Sequence, residues 1–289
     1  MLGLFLRQWR RLLVGAFLLE AFLLAGILAG VWEPIDDGGR PLILAAAVLI
    51  VVVGASALVL LGLSALLPSE VGFVERVGPG LVLTAATEPL DDWLQLPPTA
   101  AFLRVVGLMI AANWLINGRW QSRFARRGRP TVAGFHVPIP PEDVRRRLRP
   151  DPKQAGCHYW PGTRFLPPPP GSEADFVMVR PRRSGLPDAM LLTGVIDHET
   201  GRGFTVTEWP VVEDGTPHVR QEFGLDPVPG GTAVTVRQTV LRARPGQHLF
   251  WWLGQDLKDH CASMRARLLG RWDLSLHGRQ MARLPRAAG

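Results

Sequence analysis

Apolar positions divide this chain into two kinds of text. Before residue 117 they come in long unbroken runs, and after residue 131 they alternate with polar ones. The first run covers about 12–30 (LLVGAFLLEAFLLAGILAG), the second about 42–67 (LILAAAVLIVVVGASALVLLGLSALL) and the third about 100–116 (AAFLRVVGLMIAANWLI). A hydrocarbon core of ~30 Å takes about 20 helical residues, so the second run is ample and the third is near the minimum. Backbone polar groups find no water in lipid, so all three are predicted to be transmembrane helices. Arg7, Arg10 and Arg11 give the first run the basic start of a signal peptide. Its apolar stretch is longer than a signal needs and a second run follows, so it reads as a retained anchor.

From residue 131 the period becomes two. TVAGFHVPI (131–139) predicts a strand, and PEDVRRRL (141–148) a short helix opened by Pro141 with acids in its first turn. CHYWPGTRFLPPPPG reads as irregular, with Pro167 to Pro170 holding an extended loop. Strands are predicted at 174–182, 189–197, 203–211, 218–226 and 232–244, and the breaks HETGRG, EDGTP and PVPGG suit an antiparallel meander. A long helix then spans about 247–270, with Leu249, Trp252, Leu253, Leu257, Cys261, Met264 and Leu268 on one stripe. The fold class is α+β. Residues 1–117 form a three-helix membrane region, 118–130 a basic juxtamembrane linker, 131–272 a folded domain and 273–289 a C-terminal tail.

The order strand, short helix, antiparallel run, long C-terminal helix resembles the helix-grip fold of the SRPBCC superfamily, also called START-like or polyketide cyclase/dehydrase-like. The opening VAGFHVPIPPEDVRRRL and the closing VTVRQTV followed by HLFWWLGQDLKDHCASMRARL carry the resemblance, over about 131–272. It implies a curved sheet wrapped on the long helix, with a hydrophobic ligand held between them. Some members are enzymes and many only bind or carry, so the resemblance does not decide catalysis. The preceding spans, and a proline loop where a second strand is expected, depart from the usual member.

Charge adds orientation. The net charge is +7, and Lys153 and Lys258 are the only lysines, an arginine bias that fits a GC-rich genome. No nucleic-acid module is recognisable, so no nucleic-acid partner is expected. The basic cluster Arg119, Arg123, Arg126, Arg127 and Arg129 follows the third run and predicts a cytoplasmic C-terminal domain on a bacterial-type inner or plasma membrane. The N-terminal flank is basic too, and three spans cannot place both flanks on one side. A short extra pass within 77–98 would reconcile them at the cost of Glu88, Asp91 and Asp92. Within the runs, Glu20 and Arg104 are read as facing another helix and an interface, or as a pair.

Candidate chemistry follows from strand parity. Val219, Gln221, Phe223 and Leu225 share one face of their strand, and Val234, Val236, Gln238 and Val240 share one face of theirs. The apolar faces should turn toward the helix, placing Gln221 and Gln238 in an apolar cavity as ligand-orienting groups. Trp252 and His260 on the helix complete the expected ligand-binding set. Asp256 stands one turn before His260 and offers a dyad for general acid/base work. Glu208, beside Trp209, is the further catalytic candidate. The predicted hairpin connection with Asp197, His198 and Glu199 lacks the further ligands a metal needs. Cys157 and Cys261 show no metal spacing, and there is no phosphate loop, dinucleotide fingerprint or nucleophile elbow. No metal or cofactor is expected. Arg145, Arg146 and Arg147 lie either on a solvated helix face or against anionic headgroups.

These readings lead to a membrane-anchored START-like binder of a hydrophobic small molecule or lipid. A membrane-bound cyclase/dehydratase-type enzyme is the alternative, with a structural or assembly subunit of a membrane complex as the third. Expected partners are membrane lipids, the ligand and a membrane-protein partner.

Overall fold

The computed structural model describes residues 10, 14, 73–87, 93–182, 188–211 and 218–281. The chain forms two compact units, Leu2–Gln121 and Ser122–Gly289.

In the first unit, helix α1 spans Phe73–Ala86 and helix α2 spans Pro98–Asn117. Proline at the first position of α2 lacks only an N–H that the first turn would leave unbonded. At the other end the Gly118 N–H donates to the Trp114 carbonyl, 2.7 Å away. The two helices approach closely at Gly80, where a Cβ would lie 2.8 Å from the Met109 Cα. Arg104 donates to the Thr84 carbonyl and the Thr87 hydroxyl, which sets its charge at the carbonyl end of α1, where the helix dipole favours a cation.

Helix α2 matches the third expected span and is, among the described residues, the one helix long and apolar enough to cross a membrane. The spans expected at 12–30 and 42–67, Val14 aside, lie outside the described residues, as does Glu20. Helix α1 overlaps the segment 77–98 of the extra pass that would reconcile the two basic flanks.

The second unit is built on one seven-stranded antiparallel sheet. Its strands are β1 (Thr131–Val137), β2 (Arg164–Leu166), β3 (Phe176–Arg180), β4 (Ala189–Asp197), β5 (Gly203–Pro210), β6 (His218–Val228) and β7 (Gly231–Arg242). Across the sheet they run β1-β7-β6-β5-β4-β3-β2, so β3 to β7 form the predicted meander and β1 closes onto β7. The β6–β7 turn needs its two glycines. Gly230 and Gly231 have φ of +82° and +149°, and a Cβ on Gly231 would stand 2.1 Å from the Val137 carbonyl oxygen.

Helix α3 (Pro141–Leu148) follows β1 with the predicted bounds, and α4 (Pro245–Gly254), α5 (Asp256–Leu268) and α6 (Leu276–Gln280) end the chain. Leu257, Cys261, Met264 and Leu268 of α5 enter one core with Phe204, Val206, Phe223, Leu225, Val234 and Val236 of the sheet. Val144 and Leu148 of α3 join the same core. Burial alternates along β6 and β7 as period two requires. The sheet with a helix laid on one face is the architecture expected for 131–272.

Three details differ from expectation. The segment read as irregular holds the edge strand β2, kept to three residues by the prolines that follow, since proline cannot donate to a ladder. The single long helix is two, broken at Gln255 in the left-handed region (φ 45°, ψ 45°). The break resets the helical phase, so Leu253 and Leu257 stay buried while Leu249 and Trp252 are 46% and 55% exposed. The segment read as a tail is part of the fold as far as Met281, which is 2% exposed and bridges to Arg182.

Candidate functional site

The inner face of β6 and β7 carries Gln221 and Gln238 among valines, and the two are direct cross-strand partners. Both are buried, as parity predicted. The Gln221 amide donates to Gln238 Oε1 at 3.0 Å and lies 3.4 Å from Nδ1 of His260 on α5. His260 Nε2 is 2.6 Å from the Tyr159 hydroxyl. With Nδ1 accepting from Gln221, the neutral ring carries its proton on Nε2 and donates it to the phenol oxygen. Gln238, Gln221, His260 and Tyr159 thus form a single line of hydrogen bonds running from the sheet, past the helix, to the loop after α3.

The line is uncharged. Burial, then the neighbouring His277 and Arg180, hold the His260 pKa well below the ordinary histidine value. Burial likewise pushes the Tyr159 phenol up. An interior of low polarity disfavours charge on either ring, and a mutual hydrogen bond is the lower-energy arrangement.

The expected Asp256–His260 dyad does not form. Asp256 sits at the edge of α5, 3.8 Å from Nε2 of His277. His260 turns instead toward Tyr159, and its other face is covered by the His277 ring at 4.8 Å with 4° between planes. His277 belongs to α6, in the segment read as a tail. Its backbone N–H donates to Asp259 Oδ2 at 3.0 Å, with its Nδ1 3.3 Å from the same oxygen. Burial opposes charge on His277, but Asp256 and Asp259 outweigh it and raise its pKa.

Glu208 is buried on β5, yet it is not a free carboxylate. It is ion-paired with the largely buried Arg180 of β3, whose guanidinium lies 5.6 Å from the centre of the Trp160 ring. That pairing commits the carboxylate to Arg180. Trp252, on α4, is more than half exposed and stands apart from the buried glutamine–histidine–tyrosine line.

The Tyr159 end of the line reaches a pocket of about 640 Å³ walled by residues 155–159 and 161–163, by Arg146 and Arg147 of α3, and by Arg267, Leu268, Gly270 and Arg271. His158 also lines it. The Trp160 N–H donates to His158 Nδ1 at 3.2 Å, so the neutral ring carries its proton on Nε2. Burial, and then Arg180, push the His158 pKa down to about 3.

Asp197 is held by Arg145 and Arg149 at 2.7 and 2.8 Å, which accounts for part of the arginine run on α3. Among the described residues no group of three or more His, Cys, Asp or Glu side chains is placed to hold a metal ion. Cys157 is exposed and Cys261 buried, both as free thiols.

Sequence reasoning missed Tyr159, His158, Arg180 and His277. Tyr159 is the chain's single tyrosine, but it lies in an irregular segment where no period assigns a side chain to a face. Arg180 was invisible because an arginine in a strand normally points to water.

No family model matches the chain, and no curated protein matches it. Solved structures do. Ara h 8.0201 is 13% identical, with 49% of this chain and 95% of that chain covered and a TM-score of 0.37. Protein MLL2253 from Mesorhizobium loti is 19% identical, covering 48% and 93% with a TM-score of 0.35. The di-domain ARO/CYC StfQ from the steffimycin biosynthetic pathway is 11% identical, covering 60% and 59% with a TM-score of 0.36. Likeness at this level carries no inference about ligand or chemistry.

Proposed function

We propose that this chain is a membrane-anchored binding protein whose sheet-and-helix domain holds a small, largely apolar molecule by its polar group. The observation that carries this reading is the neutral line Gln238–Gln221–His260–Tyr159, set beside the apolar core and ending in the wall of a pocket. A few polar groups within an apolar surround are what orients such a ligand. Tyr159 can donate to the pocket as the line stands, or accept there if both glutamine amides flip and the His260 proton moves to Nδ1, which suits a carbonyl or a hydroxyl equally.

Binding is favoured over catalysis by the same geometry. A catalytic acid or base works best with a pKa near the operating pH. Here burial moves His260 down and Tyr159 up, away from neutrality in both cases. Glu208 is taken by Arg180, and Asp256 by His277. A cyclase or dehydratase activity would therefore draw on neither His260 nor Tyr159 as its proton carrier.

The anchor reading rests on α2, apolar and largely exposed along its length. The arginines from Arg119 to Arg129 support a cytoplasmic position for the domain by the positive-inside rule. A domain held beside the bilayer would draw its ligand from, or deliver it to, the adjacent leaflet.

The test is native extraction of the full chain in mild detergent, followed by mass spectrometry of co-purifying small molecules. The wild type is expected to retain a defined compound that Tyr159→Phe retains more weakly. If wild type and an empty-membrane control yield the same compounds, the line serves only to hold the fold and the chain is a structural subunit.

A further inference from the structure

We infer that the pocket beside Tyr159 takes an oxyanion, the carboxylate or phosphate head of an amphiphilic ligand. This deepens the binding reading above and rests on it, because Tyr159 belongs both to the buried line and to the pocket wall.

The wall carries Arg146, Arg147, Arg267 and Arg271 and no acidic side chain. Two of the four have carboxylates behind them: Arg146 pairs with Asp143 at 2.8 Å, and Arg267 lies 3.5 Å from Asp273. Arg147 gives one N–H to the Leu268 carbonyl at 3.1 Å. Arg271 is exposed and makes no ion pair among the described residues. A second pocket, of about 340 Å³, shows the contrast. It is also walled by three arginines, Arg145, Arg146 and Arg149, but Glu142, Asp151 and Asp197 answer them within the same wall. That pocket is internally neutral, whereas the one beside Tyr159 has no carboxylate in its wall and leaves Arg147 and Arg271 without an ion pair among the described residues.

His158 supplies an independent observation. It is 8% exposed and lines the pocket beside Tyr159. Its Nδ1 is used by the Trp160 N–H, so the ring proton is on Nε2, and Nε2 is buried without a hydrogen-bond partner. A buried donor left unmet is uncommon and calls for an acceptor that is absent from the protein itself. An oxyanion entering from the pocket would meet that donor and the arginine rim together. Guanidinium groups match carboxylate and phosphate oxygens in pairs, which makes either head group suitable. Pro161 and Leu268 in the same wall give the adjoining carbon chain an apolar surface.

The experiment titrates the full chain, in nanodiscs of zwitterionic lipid, with octanoate, octyl phosphate and octanol, and subtracts empty discs. Octanoate or octyl phosphate is expected to bind at least roughly tenfold more tightly than octanol, a gap of about 1.4 kcal/mol. Whichever anion is tighter names the head group. Arg271→Gln with Arg146→Gln, both exposed and so tolerant of change, should bring the anion-to-alcohol ratio toward one, and His158→Phe should lower it further. Equal affinity for anions and alcohol in the wild type overturns the oxyanion inference and leaves the binding reading standing. Anion preference that survives the double arginine variant places the anion elsewhere and overturns it as well. If none of the three probes binds, both readings fail.

Discussion

Two helices of this chain reverse the usual relation between polarity and burial. Helix α2 is almost wholly apolar, yet Phe102, Leu103, Ile110, Trp114 and Leu115 are each more than half exposed. Helix α5 reads as polar, DLKDHCASMRARL, yet Asp259, His260, Ser263 and four apolar side chains are buried. The first is long and apolar enough to cross a membrane, a surround in which an exposed leucine would cost nothing. The second is written for a protein interior in which each polar group has a partner. His260 meets Tyr159 and Gln221, Asp259 meets the backbone N–H of His277, and Ser263 donates to Asp273 at 2.6 Å. Composition therefore does not tell which helix is inside. What tells is whether each polar group has somewhere to go.

The sharpest way to break this contrast is to truncate one apolar side chain on each helix. Met264, fully buried under the sheet, should cost about 2–5 kcal/mol as Met264→Ala, because a cavity is left in a packed core. Ile110→Ala on α2 should stay within about 0.5 kcal/mol in detergent. Chemical denaturation of the full chain, followed by domain-specific proteolysis, reads both. Equal costs would mean that α2 is packed as a core helix and that the contrast is false.

Acid should loosen the domain next most. His158 and His260 both have folded pKa values depressed by burial, His158 to about 3. The unfolded chain binds more protons than the folded one once pH falls below about 6.5, so stability is lost as pH drops from there. The slope is roughly 1.4 kcal/mol per pH unit for each such histidine. His277 works in the opposite sense. Burial opposes its charge, but Asp256 and Asp259 raise its pKa, so its contribution is complete below the ordinary histidine value and fades as pH rises through the raised one. Denaturation midpoints between about pH 7 and about pH 5 should fall, and His158→Gln should flatten the fall. A midpoint that does not move would show that these rings are solvated.

A smaller effect separates the polar line from the core around it. Gln238→Leu removes the acceptor of the Gln221 amide and should cost about 1–3 kcal/mol, since a buried donor is left unmet. Changing Gln221 and Gln238 to leucine together should recover part of that loss. A single change no worse than the double would mean that the amides are independently solvated. The smallest effect is expected at Trp252→Ala, within about 0.5 kcal/mol, because that side chain is more than half exposed. A large loss there would show that α4 seats against something the rest of the domain does not supply.

Much of this was legible in the amino-acid order, and the limit of legibility has a physical basis. Period two is strict, so each strand assigned its own faces, and the inward direction of Gln221 and Gln238 followed from valine and phenylalanine beside them. Short glycine-containing breaks were enough to predict the meander. The apolar runs set α2 apart from the domain. Other features depend on contacts between distant parts of the chain. Tyr159 and His260 are 101 residues apart, and nothing local to either tells that they meet. Periodicity carried one helix through Gln255, because the left-handed turn there falls on a residue without glycine's freedom and shows no breaker at its own position. The tail proved to be part of the fold only because α6 places His277 over His260 and beside Asp256. The sequence by itself determined which faces of the regular strands are apolar and where most elements lie, since those are short-range properties of side-chain spacing. Only the tertiary structure decided which buried polar groups become partners, because that choice is settled by the packing of elements whose separation along the chain carries no signal.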